Sequence, residues 1–213
     1  MNEEDPHYFA HIYLAPEGRM SEERVSRVAV LPYIASGQSP WQWQFLVMKP
    51  TAVKSGGTPK FQMAHGKRRV RVQGEWRDLT LEDDVRAFPR KDLEPLFATA
   101  LREGREEIGL LPENIISVVD MGNYEADTEH VRTVYGPMRV FAVALKSKSN
   151  FCKPEEKTKS TAWMVEQEFS MNGRLDHRPV VEDVIRSLDK ARSEDKLRHI
   201  GFANSDSIRP RQR

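Results

Sequence analysis

The chain has 213 residues, 38% apolar and 31% charged, enough to bury one core without disulfides or a structural metal. Its 33 basic and 32 acidic side chains nearly cancel, which argues against a general polyanion binder and leaves any attraction to phosphate to a local cluster. The single cysteine, Cys152, precludes an intramolecular disulfide. No apolar run nears the ~18 residues that span a bilayer, and the acidic start Met1–Pro6 lacks a signal-peptide pattern, so a cytoplasmic protein with no membrane partner is expected.

In chain order, Val28, Val30 and the apolar run to Ile34 read as a strand ended by a Ser/Gly/Pro turn. Trp41, Trp43, Phe45 and Val47 then alternate with Gln42 and Gln44, the two-residue period of a half-buried strand. Residues 54–59 form a loop, and Phe61 to Ala64 a short strand. Gln73-Gly74, between Arg69-Val70-Arg71-Val72 and Trp76, predicts a small hairpin with a basic face. A helix follows from about Pro95 to Ile108, with proline in its first turn and Gly109 at its end. Strands are expected at Ile115–Met121, Val131–Tyr135, Met138–Leu145 and Thr161–Val165, with a polar loop over 146–159. Val181, Val184, Ile185, Leu188 and Ala191 recur at helical spacing and close the domain. The basic tail, 204–213, is expected to fray. The outline is a mixed sheet with two helices.

The chemistry concentrates in Arg102-Glu103-Gly104-Arg105-Glu106-Glu107-Ile108-Gly109-Leu110. On a helix Glu103, Glu106 and Glu107 share one face, while Phe97, Ala100, Leu101, Gly104 and Ile108 form a roughly opposite packing stripe. Gly104 in that stripe costs about 1 kcal/mol against alanine, a cost that a close approach to the sheet would explain. Three carboxylates in the last two turns repel one another and oppose the helix dipole. A hard divalent cation would reverse that penalty. On spacing alone, a solvated face with an Arg102–Glu106 ion pair accounts for the pattern equally well.

From Glu94 onward this segment resembles the box of the Nudix (MutT-like) hydrolases, G-x5-E-x7-R-E-U-x-E-E-x-G-U, where U is bulky and apolar. Glu94, seven residues, then Arg102-Glu103 and Glu106-Glu107-x-Gly109-Leu110 match, while Gly104 stands at a position where the family prefers a bulky residue. The box glycine is displaced, since Phe88 occupies its regular place. Gly66, in Met63-Ala64-His65-Gly66-Lys67, is the best candidate, with 27 residues separating it from Glu94 in place of five. The alternative is that the glycine is lost.

The resemblance implies an α/β fold, a Nudix-type α/β/α sandwich with a mixed sheet and an inserted segment at about 67–92. The domain would cover 25–195, flanked by an N-terminal extension (1–24) and a basic C-terminal tail (196–213). It further implies Mg2+ or Mn2+ held by Glu103, Glu106, Glu107 and the Gly66 backbone. Arg102 would orient a carboxylate, Glu103 would assist as ligand or base, and Glu155 or Glu156, in the loop before Trp163, would supply a further metal ligand or base, or else belong to a solvated loop. The implied reaction is hydrolysis of a phosphoanhydride in a nucleoside diphosphate linked to another moiety, with a nucleotide-binding or regulatory protein of the same fold as the alternative. Lys67, Arg68, Arg69 and Arg71 are candidate phosphate-binding residues, or else a solvated hairpin. The expected partner is a nucleotide-type small molecule. Nucleic acid is not expected beyond a 5′ RNA end, and a homodimer is the alternative to a monomer.

Overall fold

A computed structural model describes residues 12–14, 25–35, 42–51, 58–80, 82–124, 137–154 and 158–193. The strands are β1 (Ile12–Leu14), β2 (Arg27–Ala35), β3 (Trp43–Pro50), β4 (Ala64–Lys67), β5 (Arg69–Val72), β6 (Glu75–Asp78), β7 (Ile115–Tyr124), β8 (Met138–Leu145) and β9 (Thr158–Met164). Among the described residues three α-helices accompany them: α1 (Leu96–Ile108), α2 (Glu166–Asn172) and α3 (Arg178–Ser193). The sheet runs β1-β7-β8-β2-β3-β9, with β4 also paired to β2. It is mixed, because β2 runs parallel to β8 but antiparallel to β3 and β4. Ile12–Leu14, from the stretch set apart as an extension, adds an edge strand parallel to β7. The expected strand Val131–Tyr135 lies outside the described residues.

The continuous apolar run of β2 has a simple cause: both of its faces are buried. Ala29, Leu31 and Tyr33 pack with Val180, Val181, Val184 and Leu188 of α3. Val28 and Val30 face the other way, against Leu96, Ala100 and Ile108 of α1. The result is an α/β/α sandwich. One edge of β2 is shared, since Tyr33–Ala35 pair with β3 while Arg27–Val30 pair with β4. That division carries β4 under α1 and sets Gly66 opposite Val28.

The inserted segment is a folded unit. Gln73 and Gly74 both have positive φ, 54° and 89°, as a two-residue type I′ turn requires, and they join β5 to β6. Beneath this hairpin Val70, Leu79, Val85 and Leu93 form a separate small core, with Phe88 packed against it. The short strand expected at Phe61–Ala64 forms later, at Ala64–Lys67, and Phe61 and Gln62 make only isolated bridges. Among the described residues no helix is long and apolar enough to cross a membrane.

Candidate active site

Helix α1 ends as its sequence requires. Gly109 adopts φ 71°, its N–H donates to the Arg105 carbonyl at 3.0 Å, and the Leu110 N–H donates to the Gly104 carbonyl at 3.0 Å. A Cβ at Gly104 would come within 3.0 Å of Leu110 Cδ2 and 3.1 Å of Val30 Cγ1, so any side chain there would require these neighbours to give way. Gly104 thus lets α1 pack closely on β2 and Leu110.

The packing stripe differs from the expected one in two respects. Leu101 is only partly buried and is not among the residues clustered against the sheet. Glu103 does not stand clear of it; with Thr99, Ala100, Gly104 and Ile108 it is buried, turned toward β4. There it meets the Gly66 backbone, where a Cβ would lie 2.0 Å from the Glu103 carboxyl carbon. Only glycine leaves room for that carboxylate. The structure thus brings Gly66 beside the box helix although 27 residues separate it from Glu94.

Arg102 organises the remaining carboxylates. Its Nε donates to Glu94 Oε1 at 3.0 Å, and its Nη2 to Glu94 Oε2 at 3.1 Å and the Lys67 carbonyl at 2.8 Å. Its Nη1 donates to Glu103 Oε1 at 2.6 Å and Glu106 Oε2 at 3.3 Å. All five N–H donors of the guanidinium therefore have an acceptor. Glu94 Oε2 also accepts from the Arg69 N–H at 3.2 Å and the Thr99 hydroxyl at 3.1 Å. Glu107 Oε2 accepts the His65 backbone N–H at 2.7 Å, and Arg69 Nη2 lies 3.8 Å from Glu106 Oε1. These contacts offset the repulsion and unfavourable dipole expected of three carboxylates at a helix C-terminus. Burial nevertheless pushes the Glu103 carboxyl above its ordinary value, with Arg102 opposing the shift.

One predicted residue finds another place. Arg68 is buried, and its Nε donates to the Glu94 carbonyl at 2.6 Å; it pins the hairpin to the loop before α1 and does not share the open face of Arg69 and Arg71. Glu155 and Glu156 lie outside the described residues. Lys67 is exposed, and Arg71 is exposed with its Nε on the Gly74 carbonyl.

Sequence reasoning missed a histidine pair beneath the site. His65 and His177 meet edge to face at 5.3 Å, and His177 Nδ1 accepts the Met63 N–H at 3.1 Å. Burial holds both imidazoles well below their ordinary pKa. His65 Nδ1 is 4.0 Å from Glu107 Oε2 and has no hydrogen-bond partner. The available signal was the position of His65 next to the candidate glycine.

As arranged, no three His, Cys, Asp or Glu side chains among the described residues are gathered at ligand spacing, and Arg102 bridges Glu103 and Glu106. The donors nonetheless fit a hard divalent cation. All are oxygens, and the Gly66 backbone is cradled against Glu103 where a Cβ would fill the space. A cleft of about 330 Å³ lies elsewhere, between β3, α2 and α3, and contains none of these carboxylates.

The fold has solved counterparts. NrtR of Shewanella oneidensis, solved with a 27mer DNA, matches with a TM-score of 0.52 over 78% of this chain and 63% of its own, at 10% identity. The NUDIX domain of the same protein, solved with ADP ribose, matches over 86% of this chain and 93% of its own (TM-score 0.49, 12% identity). The chain has the Nudix fold. A C. elegans Ap4A hydrolase binary complex matches with a TM-score of 0.48 at 9% identity, covering 77% of this chain and 98% of its own. No protein-family model and no curated protein matches the sequence. On this Nudix fold, Glu94, Arg102, Glu103, Glu106 and Glu107 lie together at the end of α1, beside β4 and the base of the inserted hairpin.

Proposed function

We propose that this chain hydrolyses the phosphoanhydride bond of a nucleoside diphosphate linked to another moiety, using Mg2+ or Mn2+. The observation that carries the reading is the fit of the Gly66 backbone to the Glu103 carboxylate, with Glu106 and Glu107 on the following turn of α1. Glu103, Glu106, Glu107 and the Gly66 carbonyl would hold the cation. When bound, it neutralises the diphosphate and makes a bound water acidic enough to attack. Arg102 fixes Glu103 and Glu106 in position through its Nη1, and Glu94 fixes Arg102. The His65 N–H holds Glu107. Glu103, where it does not itself hold the cation, would take the proton of the attacking water. Glu156 is the alternative base. Attack in line at phosphorus then releases a monophosphate.

A second reading, nucleotide binding without turnover, draws on the engagement of Glu103 and Glu106 by Arg102 and of Glu106 by Arg69. NrtR, with the same fold, was solved with DNA and, as its NUDIX domain, with ADP ribose. One experiment separates the two: monophosphate release from a panel of ADP-ribose, dinucleoside polyphosphates and nucleoside triphosphates with Mg2+ or Mn2+, beside Glu106→Gln. Turnover lost in the variant supports hydrolysis. No turnover, with nucleotides raising the Tm of both proteins equally, favours binding alone.

A further inference from the structure

The inserted hairpin has two unlike faces. Val70 and its cross-strand partner Arg77 face the small core, where Arg77 lies over the Phe88 ring at 5.9 Å. Side chains two apart on a strand, and those directly opposite across the pair, share a face. Arg69, Arg71, Trp76 and Asp78 therefore stand together on the other face, with Arg71 opposite Trp76 and Arg69 opposite Asp78.

That face leads into the carboxylate site. At its base Arg69 Nε binds Asp78 Oδ1 at 3.2 Å while its Nη2 approaches Glu106. Asp78 lies close enough to add to the charge that Glu103 feels. One strand repeat further out, roughly 7 Å, come Arg71 and its cross-strand partner Trp76, which is 49% exposed. An aromatic ring left this open contributes little to the fold, and the small core is closed without it. From its outer end inward the face presents an indole beside a guanidinium, then a second guanidinium, then the carboxylates, an arrangement that would take a base beside its first phosphate, then a second phosphate, then the site of cleavage.

On this basis we infer that the inserted hairpin is the nucleoside-binding arm of the site: Trp76 stacks on the base, and Arg71 and Arg69 receive the phosphates that lead to Glu106. The inference deepens the proposed hydrolase reading and rests on it for the direction of the phosphate chain. Stacking on one indole tolerates any base, so the arm selects a nucleoside with at least two phosphates rather than a particular base. Arg69 would exchange Glu106 for a phosphate oxygen as substrate enters.

The test uses two probes of matched charge that are not hydrolysed, α,β-methylene-ADP and methylenediphosphonate, titrated calorimetrically into the full chain with Mg2+. The nucleotide is expected to bind about tenfold more tightly than the base-free analogue, as one base–aromatic stack provides. Trp76→Ala should erase that margin and leave methylenediphosphonate affinity unchanged, and Trp76→Phe should retain most of it. Arg71→Ala should weaken both probes by a similar factor. A margin that persists in Trp76→Ala, or an unmodified chain that binds both probes equally or neither, overturns the proposal. Turnover abolished by Glu106→Gln together with a margin that survives Trp76→Ala removes the arm and leaves the hydrolase. A margin that depends on Trp76 without turnover of any substrate keeps the arm and removes the hydrolase.

Discussion

Gly66 and Glu103 fit together so closely that a single carbon added at Gly66 would lie 2.0 Å from the Glu103 carboxyl carbon and 2.1 Å from each of its oxygens. The obstructing atoms are the far end of a flexible side chain, so Gly66→Ala can fold by swinging that carboxylate aside. The expected outcome is a Tm within a few degrees of the unmodified chain and a loss of activity of about a hundredfold, the scale set by a 1 Å misplacement of a reacting group. Thermal melting measured beside turnover checks it. Full activity in a folded Gly66→Ala chain would remove Gly66 from the site.

Gly109 presents the opposite case. Its Cβ would meet a backbone atom, the Cys152 carbonyl oxygen, at 1.9 Å, and its φ of 71° already disfavours any other residue. The Cys152 N–H also donates to the Gly109 carbonyl at 2.9 Å, so neither segment can retreat without losing that bond. Gly109→Ala should destabilise the fold by more than about 2 kcal/mol, combining left-handed strain with the clash. Urea unfolding measures this directly, and the same substitution at Gly66 serves as the control.

Arg102 and Glu94 act as one unit, joined by two hydrogen bonds and both partly buried. Arg102→Ala strands Glu94, Glu103 and Glu106 together and should cost about 2–3 kcal/mol, less than a fully buried pair because both side chains retain some solvent. Arg102→Lys should recover little, since an ammonium cannot reproduce the planar fork. In a double-mutant cycle with Glu94→Gln the two changes should be non-additive by about 1 kcal/mol or more. Additive losses would mean that the pair is held by its surroundings and not by each other.

Much of this arrangement was legible because it depends on local signals. The Gln73-Gly74 turn, the proline and glycine bounding α1 and the carboxylate spacing each act within a few residues. What was hidden depends on distant partners. His177 reads as an ordinary residue before a helix, yet its ring accepts the N–H of Met63, 114 positions away. Arg68 reads as one of a basic run, but the backbone between β4 and β5 turns it inward onto Glu94 while Arg69 and Arg71 stay on the open face. Helix α2 has seven residues and one buried side chain, Phe169, too few to show a period. The burial of Glu103 follows from the approach of β4 to α1, which no helical wheel contains.

The two buried histidines should give the fold an acid limit that the carboxylates alone would not set. Burial lowers the pKa of His65 and His177 well below 6.5, with neighbouring Arg27 and Arg174 adding to the shift, while the unfolded chain binds protons at the ordinary value. Stability from keeping these rings neutral is therefore complete above about pH 6.5 and is lost as pH falls below it, because the unfolded state then binds more protons. His177 also has a fixed role that charge would destroy, since a protonated Nδ1 cannot accept the Met63 N–H. His177→Asn supplies an oxygen acceptor that does not titrate. Melting temperatures between pH 7.5 and pH 5 should fall steeply for the unmodified chain and more gently for His177→Asn, with His65 accounting for the slope that remains. Parallel curves for the two proteins would show that His177 keeps the same protonation in the folded and unfolded states.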